Sequence, residues 1–225
     1  MIVTIHQPNY FPYLGFFHKL SLADTLVVLD DTQFQFDYTN RNKILKTDGD
    51  WTRISIPIKK HQKFFSIKDV EIDNTKNWRE ENLNLLFDCY ENSKFFYLYK
   101  NYFEEIFKKE WKYLFDINFD IIKKCLEWLD IKIDLIKESE LNVNGKNSEK
   151  LLNICKKLNA DKYVSGPGGK NYLDENLFSK NNIRLEYQNF HNNLYNQNSE
   201  IFVPNLSIVD LLVNLGPDSK TFLLK

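Results

Sequence analysis

Long hydrophobic runs are missing from this 225-residue chain, and so is an excess of either charge. No stretch approaches the roughly 18 uninterrupted apolar residues of a membrane-spanning helix, so no membrane association is expected. Lys and Arg number 30 against 31 Asp and Glu, a formal net charge of −1. That balance lacks the basic surplus that drives sequence-independent phosphate binding, so nucleic acid is not an expected partner. Cysteine is scarce. Cys89, Cys125 and Cys155 are far apart, form no CxxC pair and lie in helical-looking segments, so they read as buried free thiols in a reducing compartment. Met1-Ile2-Val3-Thr4-Ile5 lacks the charged and long apolar regions of a signal peptide, and a cytoplasmic location is expected. His61 and His191 stand alone, no two histidines have metal-ligand spacing, and zinc is disfavoured. There is no G-x-S-x-G elbow, Walker A loop or GxGxxG fingerprint, and no internal repeat or linker-like stretch, which leaves one domain over 1–225.

What is present is a core. Hydrophobic residues make up 43% of the chain and aromatics 15%, with 18 Phe and 12 Tyr, enough for a bulky interior, a ring-stacking pocket, or both. Ile2 to Ile5 reads as a buried strand that breaks at His6-Gln7-Pro8-Asn9-Tyr10-Phe11-Pro12, where two prolines forbid regular structure. Tyr13 to Leu20 has helical spacing, and Thr25 to Leu29 is a Val-rich strand ending in Asp30-Asp31. Strand, helix and strand in so few residues imply parallel pairing.

Thr32 to Asp50 shows no sustained period and reads as an ordered loop with a short helix. Trp51 to Lys59 alternates as a strand, and Ile67 to Ile72 is a second extended candidate. Helices are expected from Asn77 to about Leu129, broken near Ser93 and Tyr113. Ile131 to Ile136, Asp161 to Ser165 and Ile183 to Tyr187 read as strands. A capped helix begins near Asn147, a short one spans Asp174 to Lys180, and a late one runs from Leu206 to Asn214. The fold class is therefore α/β: a mainly parallel, Rossmann-like sheet with flanking helices and a helical portion at about 77–129.

In such folds ligands sit at the carboxyl ends of the strands. Gln7, Asn9 and Tyr10 fall there, in a turn stiffened by Pro8 and Pro12, with Tyr13 just beyond. Asp30 and Asp31, with Gln33, end the second strand; such carboxylates bind Mg²⁺ alongside substrate phosphates or accept a proton from a nucleophile. His6 joins them as a third catalytic candidate, and no protein metal site is assigned. Asn40 and Arg41 follow, the guanidinium suited to phosphate or carboxylate. Ser165-Gly166-Pro167-Gly168-Gly169-Lys170-Asn171-Tyr172 holds three of the seven glycines, and its backbone can approach an anion closely while Lys170 adds charge and Tyr172 a ring. Asp210 and Asn214 share a face of the last helix, where Asp210 would close the pocket or hydrogen-bond within the core.

His6 to Phe17 resembles the opening signature of the WbqC-like family, found among surface-polysaccharide gene clusters. Ala23-Asp24, Leu29 to Phe34, Asn40 to Ile44, Ser139-Glu140-Leu141, Tyr163 to Leu173 and Phe202 to Leu212 continue the similarity in order. The family's usual opening has other residues where His6 and His18 stand here. The opening layout is also similar to that of pantothenate synthetase, an adenylate-forming nucleotidyltransferase, but the paired-histidine motif of that superfamily is missing. The resemblances imply a transferase or ligase that modifies an amino sugar, carried on a nucleotide, during O-antigen or capsule assembly. In that scheme Gln7, Asn9 and Gly166 to Gly169 hold phosphates, Asp30 or Asp31 acts as base or metal ligand, and Tyr10 or Tyr13 stacks a ring. ATP and Mg²⁺ are candidate cofactors, and homo-oligomerisation is left open. The competing expectation is a non-catalytic nucleotide-sugar-binding scaffold of the same pathway.

Overall fold

Ile2–His6 (β1), Leu14–Leu20 (α1) and Thr25–Val28 (β2) form the opening unit. In a computed structural model describing residues 1–224, a hairpin follows, Arg41–Leu45 (β3) and Trp51–Ser55 (β4), then helices Trp78–Tyr90 (α2), Lys100–Lys108 (α3) and Leu114–Trp128 (α4). Asp134–Lys137 (β5), Glu138–Leu141 (α5), Asn147–Lys157 (α6), Lys162–Ser165 (β6), Glu175–Ser179 (α7) and Arg184–Tyr187 (β7) return to the sheet. Ile208–Leu215 (α8) and Ser219–Leu223 (α9) complete the chain.

The sheet order is β5-β2-β1-β6-β7, with every neighbouring pair parallel. This is the expected Rossmann-like α/β architecture, and it has a definite direction. From β1 the chain steps to β2 and then β5 on one side, before crossing back to β6 and β7 on the other. The order therefore reverses between β1 and β6, where crossover connections leave on opposite sides and a crevice opens.

Two apolar layers hold the sheet. Val3, Ile5 and Val27 pack with Leu151, Leu152 and Phe178 on one face. Leu26 and Val28 lie on the other, with α1, the hairpin and α2 to α4. Here the high aromatic content is used: Tyr10, Phe11, Phe16, Phe17, Phe34 and Phe103 are all fully buried, each contributing roughly 1.5–3 kcal/mol of transfer free energy. α1 is short but free of β-branched residues, and it buries Leu14, Phe16, Phe17 and Leu20. It stops at Ser21, whose hydroxyl donates to the His18 carbonyl at 2.7 Å. All three cysteines are free and buried. No helix is long and apolar enough to cross a membrane among the described residues.

Two segments differ from expectation. Residues 32–50 contain strand β3 and no helix. Its inward position 42 carries Asn rather than an apolar residue, which hid the alternation; the amide instead donates to the carbonyls of Tyr10 (3.2 Å) and Phe11 (2.8 Å). Ile67 to Asp69 is a 3-10 turn rather than a strand. The Ile67 and Lys68 amides bond to the carbonyls of Thr32 and Asp30, which ties the segment to the loop after β2.

Candidate functional site

The carboxyl ends of β2, β1 and β6 lie side by side, so Asp30-Asp31, His6-Gln7 and the glycine segment occupy one edge of the sheet. A cavity of about 240 Å³ opens there, lined by His6, Gln7, Leu29, Leu151, Tyr163 and Tyr172. Leu151 comes from the first half of α6, whose Ser148 hydroxyl donates to the Tyr172 carbonyl at 3.2 Å and so fixes one rim. Tyr172 is 61% exposed and offers a ring to a ligand.

His6 packs edge-on against Phe16, with centroids 5.0 Å apart, and its Nδ1 lies 2.8 Å from the Gln7 carbonyl oxygen. A carbonyl only accepts, so Nδ1 carries the proton and Nε2 keeps its lone pair. Burial, aided by the Lys19 charge, pulls the imidazole pKa down to about 3. His6 is thus neutral at physiological pH, a hydrogen-bond acceptor rather than a strong base.

The two aspartates differ sharply. Asp30 is buried, and its two oxygens accept from the Ser139 amide (2.9 Å) and hydroxyl (2.6 Å) at the start of α5. Asp31 is 46% exposed and ion-paired with Lys68 at 2.8 Å. Hydrogen bonding from Lys68 holds its carboxyl below the usual range, so it stays ionised. Among the described residues no three of His, Cys, Asp and Glu gather where one ion could touch them all. Mg²⁺ at Asp31 would draw most of its ligands from substrate phosphates and water.

The glycine segment follows β6 as a 3-10 turn, Pro167–Asn171. Its glycines do different things. A Cβ on Gly169 would overlap the Ser165 hydroxyl and approach Leu173 Cδ1 to 2.9 Å, so this glycine serves packing. A Cβ on Gly166 or Gly168 would meet nothing within 4 Å. These two positions face open space, where a ligand can lie against the backbone. Ser165 is buried and its hydroxyl turns to the Gly166 carbonyl (3.2 Å). Lys170 is exposed, with its ammonium 5.4 Å from the Tyr187 ring centroid.

Other candidates fold elsewhere. Tyr10 has no exposed ring face: it is fully buried, and its hydroxyl accepts from Asn82 at 3.2 Å. Asn9 is buried beside it, and Asn118 fastens this turn by donating to the carbonyls of Pro8 and Thr39. Tyr13 is half-buried and meets Phe190 edge-on. Gln33 reaches the Lys63 carbonyl at 3.2 Å. Asn40 donates to the Ile56 carbonyl at 3.0 Å, while Arg41 donates to that of Phe36. Asp210 is fully buried in α8 and accepts from Tyr195 (2.6 Å) and Gln197 (3.0 Å), with its Oδ1 unpartnered. Burial raises its carboxyl pKa to about 6.

Two groups escaped the sequence reading. Lys19 is only 3% exposed and donates to the Ile5 carbonyl at 3.1 Å. It forms no ion pair among the described residues, and burial lowers its pKa to about 7. Ile5 sits where β1 loses its ladder to β6, whose last partner is Thr4, so Lys19 occupies the base of the order reversal. Its spacing from Phe16 and Leu20 placed it on the buried stripe of α1, and that was the available signal. Glu138, also buried, pairs with Lys150 and accepts from Thr32 at 3.2 Å. It fastens the loop after β2 to α6.

Comparison with known proteins agrees with this picture at the level of family. The profile of the WbqC-like protein family matches residues 7–222. The chain is 29% identical to a Mycobacterium tuberculosis protein described as "Uncharacterized protein Rv1507c", over 98% of this chain and 96% of the relative. No solved structure matches it. With the profile spanning nearly its whole length, the chain belongs to the WbqC-like protein family.

Proposed function

We propose that the chain is a transferase or amide-forming ligase acting on a nucleotide-linked amino sugar, bound at the crevice between β1 and β6. One observation carries this reading: the strand-order reversal holds a cavity lined by His6, Gln7 and Tyr172, and the segment leading from β6 to Tyr172 has two glycines, Gly166 and Gly168, whose Cβ positions are open. Phosphate oxygens lie against the glycine backbone near Lys170, the sugar enters the cavity, and Tyr172 stacks a ring. Nε2 of His6 accepts a hydrogen bond from the sugar. Asp31, the ionised and accessible carboxylate, accepts the amine proton, or would help hold a Mg²⁺ whose charge would offset that of the substrate phosphates.

Thermal shift and calorimetry with UDP, UDP-sugars and dTDP-4-amino sugars test the site. A ligand selective for the native state raises Tm. Gly168→Val and Tyr172→Ala should each remove the extra rise that a UDP-sugar gives over UDP, without lowering the ligand-free Tm. Unchanged binding in both variants, or no binding by any of these compounds, removes the reading. A second reading, a scaffold that binds without turnover, is favoured by the pairing of Asp30 with Ser139 and of Asp31 with Lys68. Prolonged incubation with ATP, Mg²⁺ and an acyl donor separates the two: product excludes the scaffold.

A further inference from the structure

The β3–β4 hairpin sets two like charges directly opposite one another. Lys43 and Arg53 are cross-strand partners, an arrangement that ordinarily destabilises a sheet. Arg41 lies on the same outward face, two residues before Lys43. None of the three has a carboxylate partner among the described residues. Trp51 offsets part of the repulsion: its ring centroid lies 4.4 Å from the Lys43 ammonium and 5.2 Å from the Arg53 guanidinium. The loop before β3 adds two aromatic rings, Phe36 (53% exposed) and Tyr38 (51%). Phe36, Tyr38, Arg41, Lys43 and Arg53 line a hollow of about 190 Å³, with Trp51 beside it under Lys43 and Arg53. The one carboxylate in it, Asp37, turns Oδ1 to the amide and hydroxyl of Thr39, both at 2.9 Å.

We infer that this hollow is a binding site for a nucleoside phosphate. Three cations facing a single carboxylate suit a multiply charged anion; Arg53 offers a planar fork to phosphate oxygens, and Arg41 the donors left by its bond to the Phe36 carbonyl. A base can lie on Phe36 or Tyr38 at the rim. The volume takes a phosphate or diphosphate, and a chain of net charge −1 has no overall basic surplus to hold a long polyanion. A mononucleotide therefore fits better than a nucleic-acid strand. The site is separate from the crevice: the two cavities share no lining residue. The crevice residues Leu151 and Tyr163 belong to one apolar layer and the hairpin's Ile44 and Ile54 to the other.

The test is calorimetry of the full chain with ADP, pyrophosphate, adenosine and a single-stranded ten-nucleotide DNA, with Trp51 indole NMR as a site reporter. ADP and pyrophosphate should bind competitively, more weakly as salt rises, and shift the Trp51 signal, while adenosine does not bind measurably. Arg53→Ser and Lys43→Ser should each weaken ADP about tenfold. Both remove the like-charge opposition, so their Tm should hold or rise, and lost binding is not unfolding. Gly168→Val should leave ADP binding at the hairpin unchanged, so this inference and the crevice reading fail separately. ADP binding unaffected by either hairpin variant, no phosphate binding at all, or far tighter binding of the DNA strand would each overturn it.

Discussion

Ser139 grips both oxygens of Asp30, one through its backbone amide and one through its hydroxyl. The bonds join the end of β2 to the start of α5 across 109 residues of chain. Replacing Asp30 with Ala leaves two donors unsatisfied in a partly buried place, and the expected loss is about 2–3 kcal/mol. Urea unfolding would read it as a lower midpoint at constant slope. Ser139→Ala, which removes one bond, should cost about half as much. A loss below roughly 0.5 kcal/mol in Asp30→Ala would show that the bonds hold nothing. Lost activity in that variant would not by itself identify a catalytic base.

Gly169 and Gly168 are neighbours with opposite demands. Gly169→Ala pushes a methyl into Ser165 and Leu173 and should cost about 1–3 kcal/mol. Gly168→Ala meets open space and should stay within about 0.5 kcal/mol of the parent. Paired thermal melts decide it, and equal effects would contradict the packing described.

Lys19 makes stability depend on pH in a calculable direction. Its pKa is about 7 when folded and 10.5 for a free lysine, so between those values the unfolded chain binds more protons. Its unfavourable contribution is therefore complete below about pH 7 and fades as pH rises toward 10.5. Lys19→Met removes a buried ammonium of similar volume and should raise Tm more at pH 6 than at pH 9. An equal gain at both pH values would mean that Lys19 is not buried as an amine.

Asp210 works in the other direction. Its pKa is about 6 folded against 3.8 for a free aspartate, so the folded protein binds more protons in that window. The cost of burying the carboxylate is absent below pH 3.8 and complete above about pH 6, on the order of 3 kcal/mol. In Asp210→Asn that descending segment should vanish, flattening stability between pH 4 and 7 relative to the parent. An unchanged pH profile would refute the assignment.

Most of the architecture was legible because its signals are local. The proline pair ended β1, the Val-rich run of β2 announced a fully buried strand, and Asp174, which accepts from the Leu177 amide, opened α7 as its position promised. β3 was not legible, since Asn42 is buried for a bond to the opening turn and breaks the apolar alternation. The site was readable as an edge but not as side-chain roles. That Asp30 is spent on Ser139, that Tyr10 enters the core and that Lys19 lies unpaired all depend on partners supplied by tertiary packing. Nothing in a single sequence reports those partners.

The placement of β1 also bears on how the protein is made. It precedes the other four strands of its sheet along the chain yet ends as the middle strand, and one flank is closed only when residues 162–165 arrive. Until then a growing chain carries an apolar strand with an unsatisfied backbone edge. Shortened versions that stop before β6 should therefore aggregate rather than fold, whereas trimming near α9 leaves the sheet intact.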